Sequence, residues 1–562
     1  MNGAQAFVEA LRRNHTNLVF GIPGVHTLPL YNALYDAPDI RPVIPHHESG
    51  ASFAADGYAR VTGRPAVCVA VPGPGATNMA TGVGVAFADC VPMVVVTSQI
   101  PKELLGRAAV HDCDIESIYR PIVKACLRAE SPEQVGPAVD LAFALAVEGR
   151  PGPVQIMLWV DALSQEIAES APEVHHPLSS DGSTPGQSNL EPGSLANIEL
   201  AARIINQSLN LAIIVGDGAV ESGAMEDLRS LAERRGAVIA TSISARGAVP
   251  EDDGISMGPL SWETVPGVLE TADACLAVGT RFSEISTLAW TLAIPQPLIR
   301  VDIDADQLQK NYPAEVPIAG DARAVISAML PSIKSLTRQT EIRSMNAGVQ
   351  ARLALQRETI RSTGSEAPLH PRWVTSTIRD VMPDRTVFSS DGTATQFWLT
   401  EASFPIRRER GFLVPEVSQT MGYGLGAAIG ARLGTAADPV VCITGDGSFM
   451  MTVSELATAV DIRSPLIIIV FDDSHYNALR IYQDGLYDGR LIGVKLNNPD
   501  FVALARAMGA EAVRVSEPSD LAPALRWALG NQGVTLVDVV VDHRPMPSRY
   551  ERRVRQMRKA EL

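Results

Sequence analysis

What this chain lacks narrows its class. No apolar run reaches the ~18 residues that a transmembrane helix needs. Cysteine is scarce: Cys68, Cys90, Cys113, Cys126, Cys275 and Cys442 are the six in 562 residues. They are scattered, form no C-x-x-C pair and lie mostly in apolar runs, which excludes a zinc or disulfide framework and fits reduced core thiols in a cytoplasmic protein. The amino terminus reads as an amphipathic helix and lacks the basic region and apolar stretch of a signal peptide. Positive charge is in deficit. There are 47 Lys and Arg against 63 Asp and Glu, a net charge of −16, so neither nucleic acid nor an anionic membrane is expected as a partner. Residues 544–562 are a local exception with seven Lys and Arg. They read as a basic tail or solvated helix, or as a tail folding over a site that takes acidic substrates.

Aromatic residues make up only 5%, whereas glycine (44) and proline (39) are plentiful, as suits many tight turns between strands and helices. Length predicts three or four domains at ~150 residues each. Short apolar runs alternate with helical segments in three blocks. The first has strands at 18–23, 66–73, 92–99 and 153–158, with helices over 50–62 and 76–87. The second has LAIIVGDGA, GAVIATSIS, ACLAVGT and PLIRVDID, and the third VFSSDG, VVCITGDGSF, LIIIVFDDS and TLVDVVVD. This alternation predicts an α/β chain of three doubly wound parallel-sheet domains, over 1–170, 195–335 and 366–543. A Ser/Gly/Pro-rich linker (178–195) and a charged, helical stretch (331–367) separate them. Two similar outer blocks around a middle one would fit an ancient duplication.

The most specific segment is VVCITGDGSFMMTVSELATAV (440–460) followed by PLIIIVFDDSHYNAL (465–479). A buried strand is expected to end at Thr444, with Gly445-Asp446-Gly447 turning the chain into a helix that begins near Thr452. A second strand is expected to end at Phe471, before Asp472-Asp473. Ligands of open parallel sheets bind beyond the carboxyl ends of the strands, so Asp446 and Asp473 should face one crevice. Glycines flanking Asp446 permit close backbone approach to a phosphate. Two carboxylates beside a diphosphate repel it unless a cation bridges them, and hard oxygen ligands suit Mg²⁺. The tripeptide alone is weak: Gly216-Asp217-Gly218 repeats it without a second acidic strand end and reads as a tight turn.

The full span resembles the thiamine diphosphate enzymes of the acetolactate synthase and 2-oxo acid decarboxylase family. The resemblance implies that the first block binds the pyrimidine ring and the third the diphosphate. It implies Mg²⁺ held by Asp446, Asp473 and the backbone carbonyl of His475, with Gly445, Gly447, Ser448 and Tyr476 beside the cofactor. Asp473 departs from the commoner asparagine and is similar to the catabolic, flavin-independent acetolactate synthases.

Glu48, between an apolar strand and a helix, would alone read as a first-turn acid stabilised by the helix dipole. Its surroundings, VIPHHESGASFAADGYARVTGRPAV (43–67), resemble the family's H-E-x-x-A motif. The likeness implies that Glu48 activates the cofactor's aminopyrimidine from a dry pocket, where burial would raise its pKa. VPGPGATN (71–78) resembles the loop against the pyrimidine, which brings in Pro72 and Asn78, and Gly24 lies in the similar FGIPGVHTLPLYNAL (20–34). SDGTATQFW (390–398) resembles the diphosphate segment with Gly392 and Thr393. SQTMGYGLGAAIGA (418–431) places Gln419 and Met421 where the family accepts the 4′-amino group and bends the cofactor. His111 reads either as a capping histidine or as a second catalytic residue.

The resemblance implies decarboxylation of a 2-oxo acid and carboligation to a second carbonyl compound, in a homodimer or homotetramer with the active site between subunits. Residues 97–114 and 120–125, with Lys124, resemble the synthases' pocket lining. Val110-His111-Asp112 stands where biosynthetic synthases carry Phe-Gln-Glu, and residues 20–34 also resemble decarboxylases of a guanidino 2-oxo acid. A decarboxylase releasing an aldehyde is therefore the alternative, and a non-catalytic cofactor-binding protein a third reading. FAD in the middle block is open, and Asp473 favours a chain without it.

Overall fold

The apolar runs assemble into three sheets of six strands each, and every strand pairing is parallel. The computed structural model describes residues 1–168, 192–362, 366–435 and 437–560. Strands that are apolar on both faces must be covered on both faces, and helices do this in each block. The first sheet runs, in spatial order, Arg41–Val43, Leu18–Gly21, Ala66–Ala70, Met93–Gln99, Pro153–Trp159 and Ala125–Ala129. The third runs Phe412–Leu413, Val387–Ser390, Val440–Gly445, Leu466–Asp472, Val534–Val540 and Glu511–Val515. These two share one strand order. The middle sheet has the other doubly wound order: Val316–Ala319, Leu298–Asp302, Ala274–Val278, Leu211–Val215, Val238–Thr241 and Ser256–Pro259. The shared order of the outer sheets is what a duplication would leave.

The edge strands Arg41–Val43, Ala125–Ala129 and Glu511–Val515 lack the long apolar runs of the central ones. They were not among the expected strands, because half-exposed edges carry a weaker apolar signal. The charged stretch before the third sheet forms the helix Glu341–Ser362. The Ser/Gly/Pro linker lies outside the described residues except at its end, where the helix Pro192–Gln207 begins. Residues 544–560 do not form a free tail. Their helix Ser548–Ala560 buries Tyr550 and Val554 in the third domain's core, and Arg549 donates to the Ile285 carbonyl of the middle domain (2.9 Å).

The outer domains are locked together by glycine. In the helix pair Glu48–Thr62 and Tyr423–Gly434, a Cβ on Gly430 would stand 1.8 Å from the Ala54 carbonyl oxygen, and one on Gly57 2.1 Å from that of Ala427. Backbone packs on backbone there. Polar groups close the joint: the Tyr423 hydroxyl donates to Asp56 (2.5 Å), and Arg60 bridges Asp56 (2.6 Å) and Asp89 (3.0 Å). Asp56 is fully buried, and burial pushes its carboxyl up despite Arg60.

Candidate active site

In both outer sheets the strand order reverses direction beside the first strand, and ligand crevices of such sheets open at such a switch. In the first domain the switch lies between Leu18–Gly21 and Ala66–Ala70. The loops beyond these strands carry Gly24, His26, Pro72 and Gly73, and the next helix, Pro74–Ala88, carries Asn78. Glu48 opens the helix Glu48–Thr62 behind the cap His47, so it is a first-turn acid as well as a site candidate. The Asn78 amide donates to Glu48 Oε2 (3.0 Å), and a Cβ on Gly75 would come within 3.2 Å of Oε1. Glu48 is only half-buried. The dry pocket expected for it is therefore not closed by this chain's own residues.

His111 has a left-handed backbone (φ 68°) and bonds the Pro72 carbonyl through Nδ1 (2.8 Å). Because a carbonyl only accepts, that nitrogen carries the proton. The His26 ring meets the His111 ring edge-on, with centroids 5.1 Å apart. His26 Nδ1 is buried without a partner, and burial together with His111 lowers its pKa. His26 was not singled out from the sequence, since only folding brings it to His111. Gly24 packs against Val71, where a Cβ would lie 2.4 Å from Cγ1. Lys124 does not reach this pocket: Nζ donates to the carbonyls of Leu145 and Glu148 at a helix end.

In the third domain the switch lies between Val387–Ser390 and Val440–Gly445. Asp391, at the end of the first strand, is buried. It accepts from Gly424 N (2.8 Å) and from the Thr444 hydroxyl (2.5 Å). A Cβ on Gly392 would fall 2.2 Å from the Gln419 carbonyl carbon, so the two loops touch through backbone. Gln419 itself is left-handed (φ 49°), its side chain tied to the Pro415 and Glu416 carbonyls. Next along, half-buried Met421 precedes Gly422, whose N–H donates to Ser448 (2.8 Å) and whose carbonyl accepts from Thr452 (3.0 Å). Met421 is thus held on a turn anchored to the Asp446 segment.

That segment corrects one expectation: the helix begins at Asp446, not near Thr452, and runs Asp446–Met451 before a break and a second helix, Glu455–Asp461. Asp446 accepts from Gly447 N (2.7 Å), Ser474 N (2.7 Å) and Asn498 Nδ2 (2.6 Å). Packing also requires glycine at 447, since a Cβ there would lie 2.5 Å from the Tyr476 ring. Gly445 is less constrained, with only Thr395 Oγ1 at 3.2 Å. Asp473 accepts from His475 N (2.9 Å) and Asn477 Nδ2 (2.6 Å). The His475 ring turns away, bonding the Asp473 carbonyl (2.6 Å) and stacking on His543.

Electrostatics favour a cation here. Burial pushes Asp446 up to about 6, and burial together with the Asp446 charge holds Asp473 well above the ordinary carboxylate range. A dication between them would offset both effects. Among the described residues no cluster of three His, Cys, Asp or Glu side chains could hold a metal alone. Backbone or ligand oxygens would have to complete the shell. The buried hydroxyl oxygens of Ser390 and Thr393 have no partner, as a cradle for a phosphate requires.

Each of the three blocks matches one family model. Residues 1–118 match the thiamine pyrophosphate enzyme N-terminal TPP binding domain, 198–329 the central domain and 391–539 the C-terminal TPP binding domain. A probable acetolactate synthase large subunit of Methanocaldococcus jannaschii is 32% identical, over 96% of this chain and 92% of its own. The acetolactate synthase large subunit of Corynebacterium glutamicum is 34% identical, over 96% and 87%. This chain belongs to the thiamine pyrophosphate enzymes. Among relatives of this family, a probable 2-ketoarginine decarboxylase of Pseudomonas aeruginosa is 35% identical, over 96% and 94%.

Within a thiamine pyrophosphate enzyme of this kind, Asn498 is, like His26, a site residue that the sequence motifs do not mark. It donates to Asp446 and, at 2.7 Å, to Asp472, which Arg514 links to buried Asp538. Its only local signal is N-N-P-D ahead of the helix Phe501–Ala507. The repeated tripeptide Gly216-Asp217-Gly218 behaves as a packing turn: Cβ atoms on its glycines would strike Gly279. No helix among the described residues is long and apolar enough to cross a membrane.

Proposed function

We propose that this chain decarboxylates a 2-oxo acid and joins the remaining acyl fragment to a second carbonyl compound, as an acetolactate synthase does. The carrying observation is the end-to-end likeness to acetolactate synthases, together with the held carboxylate Glu48 in the first domain and the Asp446–Asp473 pair in the third. Bound thiamine diphosphate would supply a nucleophilic carbon and an electron sink for the loss of CO₂. Glu48 would hold and return the proton that activates it, with Asn78 orienting the carboxylate. Asp446, Asp473 and the His475 carbonyl would bind Mg²⁺ at the diphosphate, beside Gly445, Gly447, Ser448 and Tyr476. Gly392 and Thr393 would take the phosphates, Gln419 and Met421 the rings, and Gly24, Pro72 and Asn78 the pyrimidine side. The half-exposed Glu48 supports a homodimer or homotetramer in which a partner's third domain closes the pocket.

The decarboxylase reading keeps a specific support. His26 and His111 form a histidine pair beside Pro72 and Gly73, able to deliver the proton that releases an aldehyde. Product analysis with pyruvate and a panel including a guanidino 2-oxo acid decides between them. Acetolactate supports ligation and an aldehyde supports protonation, while turnover of neither substrate class rejects both. We further infer that FAD is not used. The cleft beside Asp302, at 250 Å³, is below the ~300–1,000 Å³ of most cofactor pockets, and its lining sets the carboxylates of Asp217, Asp302, Asp304 and Glu416 beside Arg150 and Arg281. A flavin band in the visible spectrum of the purified protein would refute this. The six unpaired cysteines fit the reducing cytoplasm.

A further inference from the structure

A second cleft lies away from the cofactor loops. It measures 730 Å³ and is walled by the middle domain, the helix Glu341–Ser362, the segment after the helix Ala394–Leu399, and the C-terminal helix Ser548–Ala560. In a chain of net charge −16 its lining is cationic, with five arginines and two glutamates. Glu401 takes Arg372 (2.6 and 3.0 Å), and Glu263 takes Arg552 (3.0 Å). Arg352, Arg357 and Arg549 have no carboxylate in an ion pair among the described residues.

Arg357 is the most telling. It is 8% exposed; its Nε donates to the Ala402 carbonyl (2.7 Å), and its buried Nη2 has no acceptor. Three hydroxyls of the same lining, Ser261, Thr264 and Ser403, are also buried and unpartnered. Buried donors are normally satisfied, so four such groups around one cavity ask for an acceptor-rich occupant. The remaining wall is apolar, formed by Trp262, Leu353 and Phe397, with the Arg549 guanidinium over the Phe397 ring at 4.8 Å. Guanidinium groups beside an apolar floor recognise carboxylate or phosphate on an apolar body.

We propose that this cleft binds a small organic anion, a carboxylate or phosphate ester carrying an apolar group, at a site separate from the catalytic centre. Two helices that border it continue to the cofactor loops. The helix Ala394–Leu399 is capped by Thr393 at one end and leads to Thr400 and Ser403 in the cleft at the other. The C-terminal helix packs on Asn477–Leu486, with the Tyr482 and Tyr550 rings 5.3 Å apart.

The test is isothermal titration of the full chain, loaded with thiamine diphosphate and Mg²⁺, with phenyl phosphate, phenylacetate and neutral benzyl alcohol. One site per chain is expected for the anions and none for the alcohol, the tighter anion naming the head group. Arg357→Met and Arg352→Glu should each weaken binding by about tenfold or more. Arg352 is exposed, so its variant tests charge even if Arg357→Met fails to fold. Absence of anion binding, or binding that survives Arg352→Glu unchanged, overturns the proposal.

Discussion

The side-chain amide of Asn78 donates to Oε2 of Glu48 across 3.0 Å, joining the start of one helix to the first turns of another. A carboxylate so held has one oxygen occupied and the other free to exchange a proton. Glu48→Gln should lower kcat by roughly 10²–10⁴, the range for loss of a positioned acid–base group. Cofactor should still bind by fluorescence titration. Near-normal turnover in this variant would remove Glu48 from the mechanism. Asn78→Ala, which keeps the carboxylate, should cost less.

Asp446 and Asp473 are expected to hold the diphosphate only through a cation. Excess chelator followed by gel filtration should therefore strip thiamine diphosphate, and Mg²⁺ should restore it. Asp446→Asn should weaken cofactor binding in proportion to metal binding. Cofactor retained in chelator would contradict the role of the pair.

Asp217 gives a pH test away from the metal site. Burial, reinforced by the charge of Glu416, pushes its carboxyl up to about 7. A carboxyl raised in the folded state binds its proton more tightly there than in the unfolded chain. Its contribution to stability is complete below the ordinary value near 3.8 and is lost as pH rises through about 7. Asp217→Asn should therefore stabilise the protein at pH 8 by about 1–2 kcal/mol, discounted for partial solvent access, and by little near pH 4. Equal denaturation midpoint shifts at both pH values would show that the charge is not what matters.

The joint between the outer domains is intolerant of side chains. Gly430→Val puts methyl carbons where the Ala54 carbonyl stands and should destabilise by about 3 kcal/mol or more, read as lost soluble yield or denaturation midpoint. Tyr423→Phe leaves Asp56 short of one donor at a cost of about 1–3 kcal/mol. A Gly430→Val protein of wild-type stability would show that the helices can separate freely.

Much of the architecture was legible in residue order. Central strands such as Met93–Gln99 and Leu466–Asp472 are buried along their whole length, so their apolar runs stand out. Edge strands such as Glu511–Val515 alternate with exposed positions and did not. The Asp446 helix starts six residues before Thr452, where the residue pattern suggests a helix. Its first turn is Asp-Gly-Ser, which reads as a turn, and tertiary bonds from Ser474 and Asn498 hold it helical.

By itself the sequence determined three parallel α/β domains and acidic residues at the ends of adjacent strands. Both follow from local rules, since apolar runs pair in parallel and side chains at strand ends line the crevice. Only the tertiary structure decided what those residues meet. Asn498 reaches Asp446 from 52 residues away, His26 meets His111, and Arg357 leaves Nη2 without an acceptor in a cleft built from distant segments. Contacts of that range depend on how sheets and helices pack, which no local propensity encodes.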